Sequence, residues 1–262
     1  MSHLARLKIA TSRKELAEIL GYQPSSLTAI VYKTPPAVKY ATFTIEKKTG
    51  GQRTISAPIP KLKKLQSHLS HALYECLDEI EKGRAKNPIS FGFRAGRSIA
   101  ENAAKHKRRR WVLNVDLADF FPSFNFGRVR GFFLKDHNFS LHPEVATTIA
   151  QIACDGTALP QGSPCSPIIS ELISQILDSR LLGLAKKYGV TYTRYADDIT
   201  FSTSKKEFPS GLATPDTVDT TCWNLSEELS TKINSSGFIV NASKTRMQFR
   251  GSRQMVTGLV VN

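Results

Sequence analysis

Tyr195-Ala196-Asp197-Asp198 is the most informative stretch of this sequence, and it lies between Val190-Thr191-Tyr192-Thr193-Arg194 and Ile199-Thr200-Phe201-Ser202. Both flanks place β-branched and aromatic residues in near alternation, which is typical of the two strands of a hairpin. The two aspartates therefore fall at or beside its turn. Adjacent carboxylates repel each other, and a divalent cation would relieve that repulsion. An ordinary solvated Asp-Asp turn is the alternative interpretation.

The composition indicates a folded, strongly basic protein. Its 262 residues include 36 Lys and Arg against 22 Asp and Glu, a formal net charge of +14. The positive electrostatic field of such a protein attracts polyanions. Nucleic acid is therefore the first candidate partner, and an anionic membrane surface is the second. Apolar runs are far shorter than the ~20 residues that span a bilayer, so we expect no membrane association. The four cysteines lack zinc-site spacing, which favours reduced, mostly buried thiols in a cytoplasmic protein.

Local patterns predict several helices. A capping box at Ser12-Arg13-Lys14-Glu15 opens a helix in residues 1–35, which are either an inert packing element or a DNA-reading helix-turn-helix. A second helix starts at Pro60, and a third follows the Pro/Gly/Ser-rich loop 159–167. We also predict a helix from Val218 to Gly237, with apolar residues at helical spacing on one face.

Asp116 ends the apolar run Trp111-Val112-Leu113-Asn114-Val115, the pattern of a buried central strand that delivers a carboxylate. The preceding basic run, Lys105 to Arg110, is either a solvated charge run or a phosphate-contacting patch. If this strand lies beside the Asp-Asp hairpin, three carboxylates converge. They would suit two Mg²⁺ ions per active site, because Mg²⁺ prefers oxygen ligands and shares its shell with substrate phosphates.

Four ordered motifs resemble those of the reverse transcriptases. They are Asn114-Val115-Asp116-Leu117-x-Asp119-Phe120-Phe121-Pro122-Ser123, Leu159-Pro160-Gln161-Gly162-Ser163-Pro164, Tyr195-Ala196-Asp197-Asp198 and Gly237-Phe238-x-Val240-Asn241-x-x-Lys244-Thr245. Two boxes resemble those of the bacterial retron enzymes in particular, namely Asn102-Ala103-Ala104-Lys105-His106 and Val256-Thr257-Gly258. The resemblance extends from about residue 40 to the last residue.

The resemblance implies an α+β fold of the right-hand polymerase type, with an antiparallel palm sheet and packed helices. We expect an N-terminal helical appendage at 1–35, fingers at 36–90 and 122–160, and a palm at 91–121 and 161–262. In relatives a helical thumb grips the template-primer duplex, and we expect this thumb to be missing from the given chain. Truncation, representation of only part of a longer chain and dependence on another element are three open explanations.

Residue roles follow from the same resemblance. Asp116, Asp197 and Asp198 would bind the catalytic metals, and Lys244 would be the general acid that protonates pyrophosphate. The backbone N–H groups of Asp119 and Phe120 would contact the triphosphate of the incoming dNTP.

Four further side chains would contact the nucleotide. Lys47 and Arg53 would grip its triphosphate, as an ammonium and a guanidinium can. Phe121 would lie under the sugar and exclude a 2′-hydroxyl, and Gln161 would contact the nucleotide near the primer end. The alternatives are a solvated turn lysine at Lys47, plain core packing for Phe121 and an exposed loop residue at Gln161.

The resemblance finally implies a function. A retron reverse transcriptase copies part of a structured noncoding RNA into multicopy single-stranded DNA, starts from a guanosine 2′-hydroxyl and keeps the product bound. It would also restrain a separate effector (toxin) protein in antiphage defence. The rival interpretations are another reverse transcriptase lineage, intron-encoded or diversity-generating, and a nucleic-acid-binding scaffold with an unused polymerase site. The three intact acids argue against the scaffold.

Overall fold

The computed structural model describes residues 1–46, 51–82, 89–217, 219 and 222–262. Two compact units make up the chain: Met1–Ala85 with Phe121–Ile173, and Lys86–Phe120 with Ser174–Asn262. Helices occur together with antiparallel strands, which confirms the predicted α+β class. Within the part of the chain that the structure describes, no helix combines the length and the apolarity needed to cross a bilayer.

The helices, in chain order, are α1 (His3–Ile9), α2 (Arg13–Ile19), α3 (Pro24–Thr28), α4 (Pro36–Lys39), α5 (Pro60–Glu81), α6 (Ile99–Ala104), α7 (Phe126–Lys135), α8 (Pro143–Ala153), α9 (Ser166–Tyr188) and α10 (Glu227–Asn234). A π-helical turn, Ala29–Lys33, follows α3. The strands are β1 (Tyr40–Glu46), β2 (Gln52–Pro58), β3 (Trp111–Ala118), β4 (Thr191–Tyr195), β5 (Asp198–Thr203), β6 (Ala213–Pro215), β7 (Trp223–Leu225), β8 (Ile239–Phe249), β9 (Met255–Val256) and β10 (Leu259–Val260).

Local sequence chemistry explains the helices of the first unit. The Ser12 side chain accepts a hydrogen bond from the Glu15 backbone N–H, and the Glu15 carboxylate accepts one from the Ser12 N–H. This capping box satisfies donors that would otherwise be orphaned at the start of α2. Helix α5 begins at Pro60, which has no N–H to lose there, and buries the stripe Leu62, Leu65, Leu69, Leu73 and Cys76.

In the first unit, the β1-β2 hairpin contacts the backbone of the loop that carries Gln161 and Gly162. Strands β1 and β2 pair antiparallel from Tyr40↔Pro58 to Glu46↔Gln52. The Ser56 N–H on β2 donates to the carbonyl of Gln161 at 2.8 Å. Gly162 adopts φ 121°, and a Cβ at this position would lie 2.8 Å from the Ser56 carbonyl oxygen. Only glycine permits this approach together with this conformation.

A four-stranded antiparallel sheet forms the centre of the second unit, in the order β4-β5-β3-β8. Strand β3 is central, and its residues Val112, Leu113, Val115 and Leu117 are buried. Residues on both of its faces are therefore covered, as expected for the apolar run that the sequence shows. Two short hairpins, β6-β7 and β9-β10, complete this unit.

The helix predicted from Val218 to Gly237 is wrong in its first half. Val218 lies outside the described residues, and the following segment forms β7, which pairs with β6. Helix α10 begins only after Ser226, whose side chain accepts a hydrogen bond from the Leu229 N–H. Strand pairing therefore outweighs the helical spacing of the apolar residues. Ile176, one of the apolar residues of α9, is 47% exposed.

Candidate active site

The Asp-Asp hairpin brings three carboxylates to one edge of the second unit. Tyr195 and Asp198 pair across strands β4 and β5, with Ala196 and Asp197 forming the turn between them. Asp116 on β3 is the direct cross-strand partner of Asp198, and side chains at paired positions start ~5 Å apart. The Leu117 N–H donates to the Asp197 carbonyl at 3.1 Å, which holds the turn against β3.

Mutual repulsion is visible at Asp198. Partial burial of its carboxyl, followed by the negative charges of Asp197 and Asp116, raises the pKa of Asp198 to about 6. The positive charges of Lys244 and Arg246 oppose the increase. Asp198 nevertheless keeps an exposed surface, so a cation from solvent can reach the carboxyl and relieve the repulsion.

Asp116 is held by two residues that β8 brings opposite β3. The Lys244 ammonium lies 3.1 Å from both Asp116 carboxylate oxygens, and Asn241 Nδ2 donates to Oδ1 at 3.1 Å. Asp116 is only 8% exposed, whereas the Lys244 side chain is 53% exposed. The lysine therefore neutralises a nearly buried carboxylate while its own side chain keeps room to move.

A buried ion pair between Arg194 and Asp178 supports the turn that carries Asp197. Arg194, fully buried on β4, donates from Nε and Nη2 to both carboxylate oxygens of Asp178 on α9, at 2.8 and 2.7 Å. Tyr192 donates its hydroxyl to the same carboxylate at 2.6 Å. Arg194 Nη1 also donates to the carbonyl of Ala196 at 3.2 Å. Ala196 has φ 54°, a left-handed conformation that costs a non-glycine residue ~1–2 kcal/mol, so the turn needs such support.

Gly92 packs directly against the same turn. A Cβ at this position would lie 2.4 Å from the Ala196 backbone nitrogen and 3.0 Å from the Tyr195 carbonyl carbon. The neighbouring Phe91 N–H donates to the Arg194 carbonyl at 2.9 Å. This segment therefore fits against the turn only because residue 92 has no side chain.

The Asn-Ala-x-x-His box is buried against the hairpin. The ring nitrogens of His106 lie 2.7 Å from Ser202 Oγ on β5 and 2.7 Å from Thr193 Oγ1 on β4. Burial, followed by the charge of Arg109, lowers the pKa of His106 to about 3, so the ring is neutral at neutral pH. A neutral imidazole offers one donor and one acceptor, which suits two hydroxyl groups. His106 thus links both strands that flank the aspartates.

The Val-Thr-Gly box packs against the first box. Thr257 and Gly258 form the turn between β9 and β10, with φ 47° and 85°, as a type I′ turn requires. Asn102 is fully buried and donates from Nδ2 to Thr257 Oγ1 at 3.5 Å. Val256 shares a buried cluster with Ala103. The two boxes therefore form one structural element, and its turn residues Thr257 and Gly258 reach the surface.

The remaining predicted nucleotide contacts belong to different parts of the chain. In the first unit, Arg53 is exposed on β2, while Phe121 and Gln161 are half-buried. Lys47 lies outside the described residues. In the second unit, Asp119 is exposed with φ 44°.

Phe120 completes the predicted set, in the second unit. It is buried, and its ring stacks on that of Phe238 with the centroids 5.9 Å apart. Its side chain is therefore part of the core.

The three carboxylates suit a hard divalent cation in their chemistry, because they supply oxygen donors whose charges repel one another. Among residues 1–46, 51–82, 89–217, 219 and 222–262, no group of three or more His, Cys, Asp or Glu side chains is arranged so that it could hold a metal ion. The Lys244 ammonium on Asp116 is consistent with that result. Cation binding would need Asp116 to exchange this partner.

Three supporting residues were missed from the sequence: Arg194, Asp178 and Gly92. Arg194 was a usable indication, because a single charged residue inside a strand of β-branched and aromatic residues needs a partner if it is buried. Asp178 gave a similar signal within the apolar α9. Nothing local identifies Gly92, because its neighbour in space is more than one hundred residues away in sequence.

Comparisons with known proteins agree with this geometry. Residues 45–256 match the family model described as "Reverse transcriptase (RNA-dependent DNA polymerase)". The chain is 36% identical to the retron Mx162 reverse transcriptase of Myxococcus xanthus over 268 residues, covering 96% of this chain and 53% of the relative. It is 32% identical to the retron Ec86 reverse transcriptase of Escherichia coli, covering 98% and 73%. The chain thus spans about half the length of the Mx162 relative.

Solved structures show the same fold. The telomerase of Candida tropicalis, in complex with a fragment of telomeric RNA, aligns with a TM-score of 0.55 at 15% identity, over 86% of this chain and 43% of the telomerase. The telomerase of Candida albicans also gives 0.55, at 12% identity, over 87% of this chain and 47% of that protein. Together, the matched residues, the relatives and the fold place this chain in the reverse transcriptase family, among the retron reverse transcriptases.

Proposed function

We propose that this protein is an RNA-directed DNA polymerase, a nucleotidyltransferase that extends a DNA strand on an RNA template. The observation that supports the proposal most directly is the cross-strand pairing of Asp116 with Asp198, next to Asp197 in the turn. Within this family, such an arrangement suits binding of a substrate triphosphate through metal ions.

Reverse transcriptases use divalent metal ions, and we infer that Asp116, Asp197 and Asp198 hold two Mg²⁺ ions. When bound, these ions would activate the attacking hydroxyl and stabilise the departing pyrophosphate. The protein's own contribution is to place the three aspartates on neighbouring strands and their turn, despite the repulsion between their charges. Lys244 would donate a proton to pyrophosphate, and its ammonium already lies 3.1 Å from Asp116.

Three further side chains would contact the incoming nucleotide. Arg53 and Lys47 would bind its triphosphate, and Gln161 would contact it near the primer end. The hydrogen bond from the Ser56 N–H to the Gln161 carbonyl supports a common role for Arg53 and Gln161, because it connects the loop of Gln161 to the strand that carries Arg53.

Selection of deoxynucleotides would depend on Phe121, through steric exclusion of a 2′-hydroxyl. The backbone N–H groups of Asp119 and Phe120 would contact the triphosphate. Burial of the Phe120 side chain supports a role for its backbone, since the ring is committed to the core.

We further propose the domain assignment expected from the sequence, with an appendage at 1–35, fingers at 36–90 and 122–160, and palm at 91–121 and 161–262. The template would be a structured noncoding RNA, copied into multicopy single-stranded DNA from a guanosine 2′-hydroxyl. A separate effector (toxin) protein and a role in antiphage defence would complete the system. Similarity to retron reverse transcriptases supports these proposals.

The polymerase function is tested by supplying the purified protein with an RNA template, an annealed DNA primer, dNTPs and Mg²⁺. We expect primer extension that requires the RNA and the metal. Failure to extend any primed RNA, with Mg²⁺ or Mn²⁺, would contradict the proposal. Sequencing the nucleic acid that copurifies with the protein tests the retron assignment, which predicts a branched RNA-DNA molecule.

Cation binding should depend on pH through Asp198. Its pKa of about 6 means that the carboxyl is charged above pH 6 and takes up a proton below it. We therefore expect the affinity for Mn²⁺ to fall about tenfold per pH unit below about pH 6. Calorimetric titrations at pH 7.5 and pH 5.0 measure this change. Asp198→Asn is the control, and its weaker affinity should vary little between these values; equal wild-type affinities at both would refute the assignment.

Gly92→Ala should impair incorporation without unfolding the protein. The new Cβ would lie 2.4 Å from the Ala196 nitrogen, so the turn that carries Asp197 must shift. Small displacements of catalytic groups are costly, and we expect a decrease of about 10- to 100-fold in the single-turnover rate. Gly131→Ala is the matched control, because a Cβ there meets nothing within 4 Å and alanine favours α7. Equal rates for both variants would show that the contact does not matter.

A further inference from the structure

The end of the four-stranded sheet where β3 begins carries a concentration of positive charge. Trp111, the first residue of β3, pairs with Phe249 on β8 and with Thr203 on β5. Asp116 lies five residues after Trp111 on β3, so the aspartates are about 17 Å away from Trp111 along the strand. We propose that this end of the sheet is a second contact surface for RNA, an inference that rests on the proposed function.

Six basic residues define this surface, which we call the basic end: Lys107, Arg108, Arg110, Lys206, Arg250 and Arg253. Hydrogen bonds join the separate segments that carry these residues. The Arg250 N–H donates to the Arg110 carbonyl at 2.8 Å, and the Trp111 indole N–H donates to the Lys206 carbonyl at 3.5 Å. Five are exposed and Arg110 is half-buried. None of the six forms an ion pair with a carboxylate in the described part of the chain, so their charge is available to an outside anion.

Aromatic rings lie at the centre of the basic end. Trp111 contacts Phe249 with ring centroids 4.7 Å apart, and Trp223 with centroids 5.5 Å apart. Both tryptophans are half-buried, and Phe249 is 37% exposed. Arg110 lies over the Phe249 ring at 5.8 Å. A structural core would cover these rings completely, whereas here they retain faces that solvent reaches.

Cations around partly exposed aromatic rings match the chemistry of RNA. Guanidinium and ammonium groups bind phosphates, and unpaired bases stack on aromatic side chains. Both features together favour a stem with adjoining unpaired nucleotides over a plain polyanion. The proposed surface includes Lys107, Arg108 and Arg110, so it supports the interpretation of the basic run before β3 as a phosphate-contacting patch.

The protein's own tryptophans provide a direct test. The chain contains two tryptophans, Trp111 and Trp223, and both lie at the basic end. Bases that stack there should quench the intrinsic tryptophan fluorescence. The probe is an RNA hairpin with a 20-base-pair stem and a single-stranded tail. We expect saturable quenching of about a third or more, and RNA binding without quenching would overturn the proposal.

A matched pair of triple variants tests the charges. The first replaces Lys107, Arg250 and Arg253 by Gln, and the control replaces Lys61, Lys63 and Lys64 by Gln, all exposed on α5. Both lose three positive charges. The first should bind the hairpin at least tenfold more weakly, and its slope of log K against log salt should be smaller by ~2 to ~3. The control should change less than threefold; equal losses in both would indicate net charge alone and overturn the proposal.

Two further quenching experiments distinguish this RNA surface from the polymerase function and from a membrane-binding surface. Asp197→Asn should be quenched by the hairpin as fully as the wild type, because the surface is independent of synthesis. Absence of primer extension by the wild-type protein, together with intact quenching, would therefore reject the polymerase function and retain the surface. Anionic lipid vesicles should cause little quenching; stronger quenching by vesicles than by RNA would identify a membrane surface and overturn the proposal.

Discussion

Replacing Asp197 by Asn should slow nucleotide incorporation at least a thousandfold while leaving RNA binding largely intact. The change keeps the size of the side chain and removes one charge from the turn beside Asp116 and Asp198. Metal ions contribute several kcal/mol to such transition states, and each ~1.4 kcal/mol is a factor of ten in rate. Single-turnover primer extension measures the rate, and titration with an RNA hairpin measures the binding.

Asp78→Asn provides the control for this prediction. Asp78 is an exposed acid on α5, in the first unit, so its replacement changes the net charge equally. We expect a rate within twofold of the wild type. Undiminished synthesis by Asp197→Asn would refute the metal assignment, whereas a joint loss of RNA binding would point to unfolding instead.

Replacing Asp178 by Ala should lower the free energy of unfolding by about 3–5 kcal/mol, because one partner of a buried ion pair would be lost. The Arg194 guanidinium would remain buried without its carboxylate, and the Tyr192 hydroxyl would lose its acceptor. The midpoint of urea denaturation measures this effect. Glu228→Ala is the control, because its ion pair with Lys187 is exposed to solvent and such pairs contribute far less to stability than a buried pair does.

A double variant separates stability from positioning. Asp178→Leu combined with Arg194→Met removes both charges and fills similar volume, so much of the stability should return. The bond from Arg194 to the Ala196 carbonyl would still be absent. We therefore expect the double variant to be stable but slow in incorporation. Stability as poor as that of Asp178→Ala would show that the unpaired charge is not the cause.

Patterns with a strong local cause were predictable from the sequence. The capping box at Ser12 and the apolar stripe of α5 both depend on residues within a few positions of each other. The apolar run before Asp116 identified β3 for the same reason. The pairing of Asp116 with Asp198 needed an additional assumption, namely that the two strands are neighbours, and the register confirms it.

Features that depend on distant partners were not predictable. The apolar spacing after Val218 fits a helix, yet β7 pairs with β6, and only a tertiary structure decides between the two. The contact of Gly92 with Ala196 and the ion pair of Arg194 with Asp178 join separate segments in the same way. The residues that hold the aspartates in place were therefore harder to predict from the sequence than the aspartates themselves.

The joint between β2 and the loop of Gln161 bears on how this polymerase could be redesigned. It uses the Ser56 N–H, the Gln161 carbonyl and the bare α-carbon of Gly162, so it does not involve the Gln161 side chain. A library randomised at position 161 could therefore be screened for altered base preference without loss of folded clones. A library randomised at position 162 should recover glycine almost exclusively. Position 161 should therefore tolerate substitution, whereas the neighbouring position 162 should not.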